Sequence, residues 1–68
     1  MNQFCRTQVV IEGEKEFLTT LKEFNITSYN IVEQKRFSDK TYSVIDVRFE
    51  TQFQYEIIAR NADKCKLL

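Results

Sequence analysis

The chain has 68 residues with ten basic and ten acidic side chains, so its net charge at pH 7 is zero. This length predicts one domain covering residues 1–68. A hydrophobic content of 43%, with six Phe and three Tyr, argues for a packed core and against disorder. Zero net charge also argues against a protein whose affinity rests on many phosphate contacts.

The composition removes most routes to catalysis. The chain has no His, no Trp, no Pro and one Gly, and its only thiols are Cys5 and Cys65. Acid–base chemistry at neutral pH relies mainly on His, structural zinc needs four Cys or His ligands, and phosphate loops need several glycines. We therefore expect no enzymatic activity, no cofactor and no metal site.

Nothing in the sequence resembles a membrane span or a signal peptide. We therefore expect a cytoplasmic protein that does not associate with membranes. In a reducing compartment the two cysteines are expected to be free thiols, although the sequence leaves open whether Cys5 and Cys65 pair.

The first half of the chain predicts a strand followed by a helix. Residues 3–11 are rich in strand-forming residues, and Gly13 then allows the chain to turn. A helix is expected to follow, because four apolar residues recur at helical spacing: Phe17, Leu18, Leu21 and Phe24. Asn25 is a plausible left-handed stop, with Ile26 packing back on the last turn.

Two further strands are predicted over residues 27–37 and 41–50, joined by a polar turn at residues 38–40. In the second of these strands, alternation places one apolar set toward the core: Ser43, Ile45, Val47 and Phe49. The opposite set includes Asp46 and Arg48. If these residues lie opposite Glu33 and Lys35, they form a surface ladder of ion pairs.

Residues 51–64 fit two patterns. Phe53, Tyr55 and Ile57 alternate with polar residues as in a strand, whereas Thr51 and Gln54 match a helix capping box. A strand continuing from residue 41 to 58 would be unusually long, so a helix is preferred. The resulting order, βαββα, resembles a ferredoxin-like (split βαβ) unit that stops before its fourth strand. We therefore predict an α+β fold with a three-stranded antiparallel sheet and both helices on one face.

Such a sheet has an uncovered face, and this face is the candidate functional surface. The apolar residues expected there are Phe4, Val10, Val32, Tyr42 and Val44. A partner or a second copy would cover them, unless the C-terminal residues 66–68 fold over this face instead. The sequence therefore predicts a protein–protein interaction module that binds another protein or itself as a homodimer. Its composition resembles that of short phage accessory proteins, which implies a regulatory or inhibitory role.

The alternative is nucleic-acid binding, because ferredoxin-like sheets often bind RNA on their open face. The candidate contacts are Arg6, Lys35, Arg36 and Arg48. The strand at residues 42–50 lacks the glycine–aromatic signature of the RNA-recognition motif and carries Asp46 at its middle. Nucleic acid therefore stays the second hypothesis.

Overall fold

A computed structural model describes residues 5–68. It contains strand β1 (Cys5–Ile11), helix α1 (Glu14–Glu23), strands β2 (Tyr29–Phe37) and β3 (Lys40–Phe49), helix α2 (Gln52–Asn61) and strand β4 (Lys64–Leu67). The strands form one antiparallel sheet in the order β2-β3-β1-β4. Within residues 5–68, no helix is long and apolar enough to cross a bilayer.

The α+β class is confirmed, but the prediction of three strands in the order βαββα is wrong. Residues 64–67 form a fourth strand, which pairs antiparallel with β1 and completes the βαββαβ order. The C-terminal residues therefore extend the sheet at its edge and do not fold across its uncovered face. The preference for a helix over residues 51–64 is confirmed in type, although the helix ends at Asn61.

The core lies between one face of β1 and β3 and the two helices. Alternate residues of these strands point into it, and the buried apolar side chains are Val9, Ile11, Phe17, Leu21, Ile26, Ile45, Val47, Phe49 and Ile58. Burying each such side chain contributes about 1.5–3 kcal/mol. Phe24, predicted to belong to the apolar stripe of α1, is 37% exposed and packs edge-on against Phe53 instead.

Helix α1 ends as its sequence predicts. Asn25 adopts a left-handed conformation with φ of 60°. The N–H of Ile26 donates to the carbonyl of Leu21 at 2.9 Å, and the N–H of Asn25 donates to the carbonyl of Lys22 at 3.1 Å. These two bonds form a Schellman motif, which turns the chain toward β2 and buries Ile26.

Helix α2 begins with the predicted capping box. The hydroxyl of Thr51 accepts a hydrogen bond from the N–H of Gln54 at 3.1 Å. The side chain of Gln54 accepts in return from the N–H of Glu50, one residue before the cap. This capping satisfies donors at the start of α2 and places Ile58 in the core.

Strands β2 and β3 form a hairpin whose outer strand lies outside the helical layer. A two-residue turn, Ser38-Asp39, joins them, with Ser38 at a positive φ of 58°. A β-bulge interrupts the ladder, because Ile31 pairs with Ile45 whereas Glu33 already pairs with Val44. All nine residues of β2 are exposed.

Candidate partner-binding face

The sheet face turned away from the helices is referred to as the open face. The register of the four strands brings fourteen side chains together on it. They are Arg6, Gln8 and Val10 from β1, Asn30, Glu33, Lys35 and Phe37 from β2, Lys40, Tyr42, Val44, Asp46 and Arg48 from β3, and Lys64 and Lys66 from β4. Neither helix packs on this face, since both cover the opposite one.

The hairpin end of the open face is apolar. Val10 lies opposite Val44, and Tyr42 follows on the same side of β3. The rings of Phe37 and Tyr42 meet edge to face with centroids 6.1 Å apart. These side chains, together with Lys35, Asp63 and Lys64, line a shallow depression of about 430 Å³. Phe37 is 62% exposed, so this apolar centre remains accessible to a partner.

A basic rim surrounds the apolar centre. Six of the open-face side chains are basic and two are acidic; the basic ones are Arg6, Lys35, Lys40, Arg48, Lys64 and Lys66. Lys35 contacts Glu33 at 3.8 Å, and both side chains are about half exposed. Because the whole chain is neutral, the excess of positive charge here is balanced by acidic residues elsewhere on the molecule. The open face therefore favours a partner with negative charge.

The structure brings together three of the five residues predicted to contact a partner. Val10, Tyr42 and Val44 are neighbours on the open face. Val32 is the unmatched residue of the β-bulge and is 54% exposed. Phe4 lies outside the described residues.

Three of the four predicted nucleic-acid contacts also lie on the open face, namely Arg6, Lys35 and Arg48. Arg36 lies opposite Thr41 and therefore belongs to the other side of the sheet. The expected ladder of ion pairs across β2 and β3 does not form, because the register of the hairpin places Glu33 and Lys35 nearer the turn than Asp46 and Arg48.

The partner of Asp46 across β2 is Asn30, and the carboxylate of Asp46 accepts a hydrogen bond from Gln8 at 3.1 Å. Glu33 lies opposite Val44, and Lys35 lies opposite Tyr42. Polar side chains therefore occupy the middle of the open face. They separate the apolar centre from the opposite end of the face, where Arg6 pairs with Arg48.

Sequence reasoning missed Phe37, Lys64 and Lys66 as members of this face. The sequence favours a helix through residue 64, and an alternation of side chains with period two has no meaning in a helix. The alternating pattern Lys64-Cys65-Lys66-Leu67 is the signal for a strand with one basic side. Phe37 reaches the open face because the bulge reverses the alternation of β2 after Ile31.

Glu14 is the centre of a polar cluster on the helix side of the sheet. Its carboxylate accepts hydrogen bonds from the hydroxyl of Ser43 at 2.6 Å and from the amide of Gln34 at 2.9 Å. These bonds, that from Ser43 first, hold the pKa of Glu14 below its ordinary value. A carboxylate with a lowered pKa is a poor proton acceptor, and this one ties α1 to β2 and β3.

A second cluster attaches β4 to the rest of the molecule. The buried hydroxyl of Thr7 donates to the carbonyl of Lys66 at 2.9 Å and lies 3.1 Å from the sulfur of Cys65. The thiol of Cys65 lies 3.9 Å from the hydroxyl of Tyr55, and this hydrogen bond raises the pKa of Tyr55. Cys5 and Cys65 are both free thiols. Among residues 5–68 there is no group of three or more metal-ligating side chains.

Comparisons with family models, with curated proteins and with solved structures find no significant match for this chain.

Proposed function

We propose that this chain is a non-enzymatic interaction module whose open face binds another protein. The observation that carries this proposal is the arrangement of that face, an apolar centre at Val10, Phe37, Tyr42 and Val44 beside a rim of basic side chains. The complementary partner surface presents apolar side chains flanked by Asp and Glu. Burial of the apolar centre supplies affinity, and the charged rim supplies orientation and fast association.

The middle of the sheet favours a protein over a nucleic acid. Proteins that bind RNA on an open sheet stack bases on aromatic side chains, and the inner strands are the natural place for them. Here the central positions of β1 and β3 hold Gln8 and Asp46, which hydrogen-bond to one another. A carboxylate at this position repels phosphate, whereas a protein partner tolerates it by donating a hydrogen bond.

A regulatory or inhibitory role in the cytoplasm, like that of small phage accessory proteins, fits such a module. A domain of this size and chemistry acts by occupying a surface of its target. The two free thiols are compatible with a reducing compartment.

The first test is affinity capture from nuclease-treated lysate, with the chain as bait and mass spectrometry as the readout. The double variant Tyr42→Ala with Val44→Asp removes the apolar centre without touching the core. We expect it to lose a stoichiometric protein that the unaltered chain retains. The matched control, Lys15→Glu with Lys22→Glu on α1, makes a larger charge change away from the open face and should retain that protein. Equal capture by bait and double variant would sink the proposal.

If the basic rim contacts the partner, the affinity and association rate should depend on the charge of the rim and on the salt concentration. Lys64→Glu with Lys66→Glu reverses two charges on the edge strand of the open face, and both residues are exposed. We expect weaker capture and a slower association rate, with the difference from the unaltered chain shrinking at high salt. Surface plasmon resonance against the captured partner measures both. An unchanged rate at low salt would show that the rim takes no part in binding.

Single-stranded nucleic acid is the second candidate, favoured by the edge-to-face pair of Phe37 and Tyr42 next to Lys35. Proteins that bind single-stranded nucleic acid without sequence preference stack its bases on aromatic side chains, and nearby basic side chains contact its phosphates. Fluorescence anisotropy with a labelled oligouridylate tests it directly. Tyr42→Leu keeps apolar contact area but removes the stacking surface, so it weakens RNA binding strongly and protein binding little.

A further inference from the structure

Strand β2 forms an edge of the sheet in the part of the chain that the structure describes. All nine of its residues are exposed, including the apolar residues Tyr29, Ile31, Val32 and Phe37. Among residues 5–68 its one neighbour in the sheet is β3, and no strand pairs with its other side. Such an edge presents a row of unpaired backbone groups, which an added strand would satisfy.

The ladder with β3 fixes which backbone groups of β2 point outward. The carbonyl of Ser28 accepts from the N–H of Arg48 at 2.9 Å, so residue 28 bonds toward β3. Because inward and outward groups alternate along a strand, the backbone groups of Tyr29 and Ile31 point away from β3. At the other end, the two-residue turn makes Phe37 and Lys40 a hydrogen-bonded pair. Counting back from Phe37, the backbone groups of Gln34 and Arg36 point outward.

The bulge at Val32 gives this edge an unusual spacing. Outward groups fall at residues 29, 31, 34 and 36, with the extra residue of the bulge in the middle. If a regular strand pairs with residues 29 and 31, its hydrogen-bonding groups no longer lie opposite the outward groups of β2 from residue 34 onward. An antiparallel strand with the same spacing stays in phase along the whole edge, since the spacing reads the same in both directions.

The partner strand with that spacing is β2 itself. We propose that β2 pairs antiparallel with β2 of a second copy, about a two-fold axis between Val32 and Glu33. Ile31 then lies opposite Gln34 of the second copy, and Tyr29 lies opposite Arg36 of the second copy. Asn30 lies opposite Lys35 of the second copy.

This pairing covers apolar side chains on the helix side of β2 that stay exposed beside α1. Tyr29 and Ile31 are 38% and 44% exposed in the single chain. The ring of Tyr29 and the guanidinium of Arg36 of the second copy are suited to a cation–π contact. The two-fold axis stands perpendicular to the sheet, so the dimer has eight strands with both open faces on the same side.

The first experiment tests the register by disulfide cross-linking. Asn30 and Lys35 of the second copy form a non-hydrogen-bonded pair, whose Cα atoms are about 4.5 Å apart, within disulfide range. Two proteins are made in a Cys5→Ser, Cys65→Ser background, one with Asn30→Cys and one with Lys35→Cys. Under mild oxidation we expect linked dimers in the mixture and none in either protein alone, because like positions lie about 17 Å apart. No link in the mixture, or equal linking in all three samples, would overturn the proposal.

The second experiment is sedimentation equilibrium on the whole chain. We expect a dimer for the unaltered protein and dimerisation weaker by about tenfold or more for Ile31→Pro, because the two-fold axis doubles each lost hydrogen bond. Proline at this position removes an outward N–H and leaves the ladder with β3 intact. Gln34→Pro applies the same logic on the other side of the bulge if the first variant fails to fold. A monomeric unaltered chain, or a dimer undiminished in a folded proline variant, contradicts the proposal.

This inference is independent of the proposed function. Tyr42→Ala with Val44→Asp alters the open face and should leave dimerisation unchanged. If the open-face variant loses the partner but still dimerises, the two surfaces act separately. If the proline variant loses the dimer but still captures the partner, the same conclusion follows. Each proposal can therefore fail without the other.

Discussion

At the scale of single residues, Ser43 decides the titration of Glu14. The hydroxyl of Ser43 donates to this carboxylate at 2.6 Å and is the largest cause of its lowered pKa. We expect Ser43→Ala to raise the pKa of Glu14 toward its ordinary value of 4.5, and Gln34→Ala to raise it less. Carboxyl carbon NMR during an acid titration measures both values. A larger shift in Gln34→Ala than in Ser43→Ala would contradict this assignment.

The same cluster has a consequence for stability. A carboxylate whose pKa is lowered on folding contributes stability above its unfolded pKa, and this contribution is lost as pH falls through the folded value. The contribution of Glu14 is therefore fully present at neutral pH and disappears in acid. Denaturant unfolding at neutral and acidic pH should show a smaller acid loss for Ser43→Ala than for the unaltered chain.

At the scale of elements, the left-handed residue after α1 controls how the helix stops. Asn25 has φ of 60°, a conformation that costs other non-glycine residues about 1–2 kcal/mol. We expect Asn25→Ala to lower the free energy of unfolding by about 1 kcal/mol, and Asn25→Gly to leave it unchanged or slightly higher. Urea unfolding followed by circular dichroism measures both. Equal losses in the two variants would mean that the Asn25 side chain, and not the backbone conformation, matters.

The elements that the sequence predicted well are those with a strong local signal. The apolar spacing of Phe17 and Leu21 and the cap at Thr51 are features of short stretches of chain, and both helices form where these signals lie. The core face of β3 follows from simple alternation and is buried as predicted. Local periodicity is sufficient for such elements because burial of one face stabilises them directly.

The elements that the sequence predicted poorly depend on distant partners. Strand β4 has four residues, of which Lys64 and Lys66 favour a helix, and it becomes a strand because β1 offers an edge. The bulge at Val32 is a backbone irregularity without a side-chain signature, yet it moves Glu33 and Lys35 onto the open face. Both features add charge to the candidate site, which is why its basic rim was only partly predicted.

At the scale of the whole molecule, the fold concentrates basic residues on one face. Residues 1–34 have a net charge of −2 and residues 35–68 of +2, and the sheet collects basic residues from all four strands on its open face. Acidic residues such as Glu14, Glu16 and Glu23 lie on α1, on the opposite side. A neutral protein thereby obtains one face with an excess of positive charge, which suits an oriented encounter with a partner.

Strand β4 is also expected to be necessary for the cooperative folding of this small domain. Its backbone pairs with the edge of β1, its Lys66 carbonyl accepts a hydrogen bond from the buried Thr7 hydroxyl, and Cys65 packs against the core.

Removing residues 64–68 would expose Thr7 and Val9, both fully buried in the intact chain. A domain of this size has little stability to spare. We therefore expect the shortened chain to lose its cooperative thermal transition, as followed by circular dichroism. Lys64→Ala with Lys66→Ala, which keeps the backbone ladder, should melt close to the unaltered chain. A shortened chain with a sharp transition near that of the intact protein would show that β4 serves the open face and not the core.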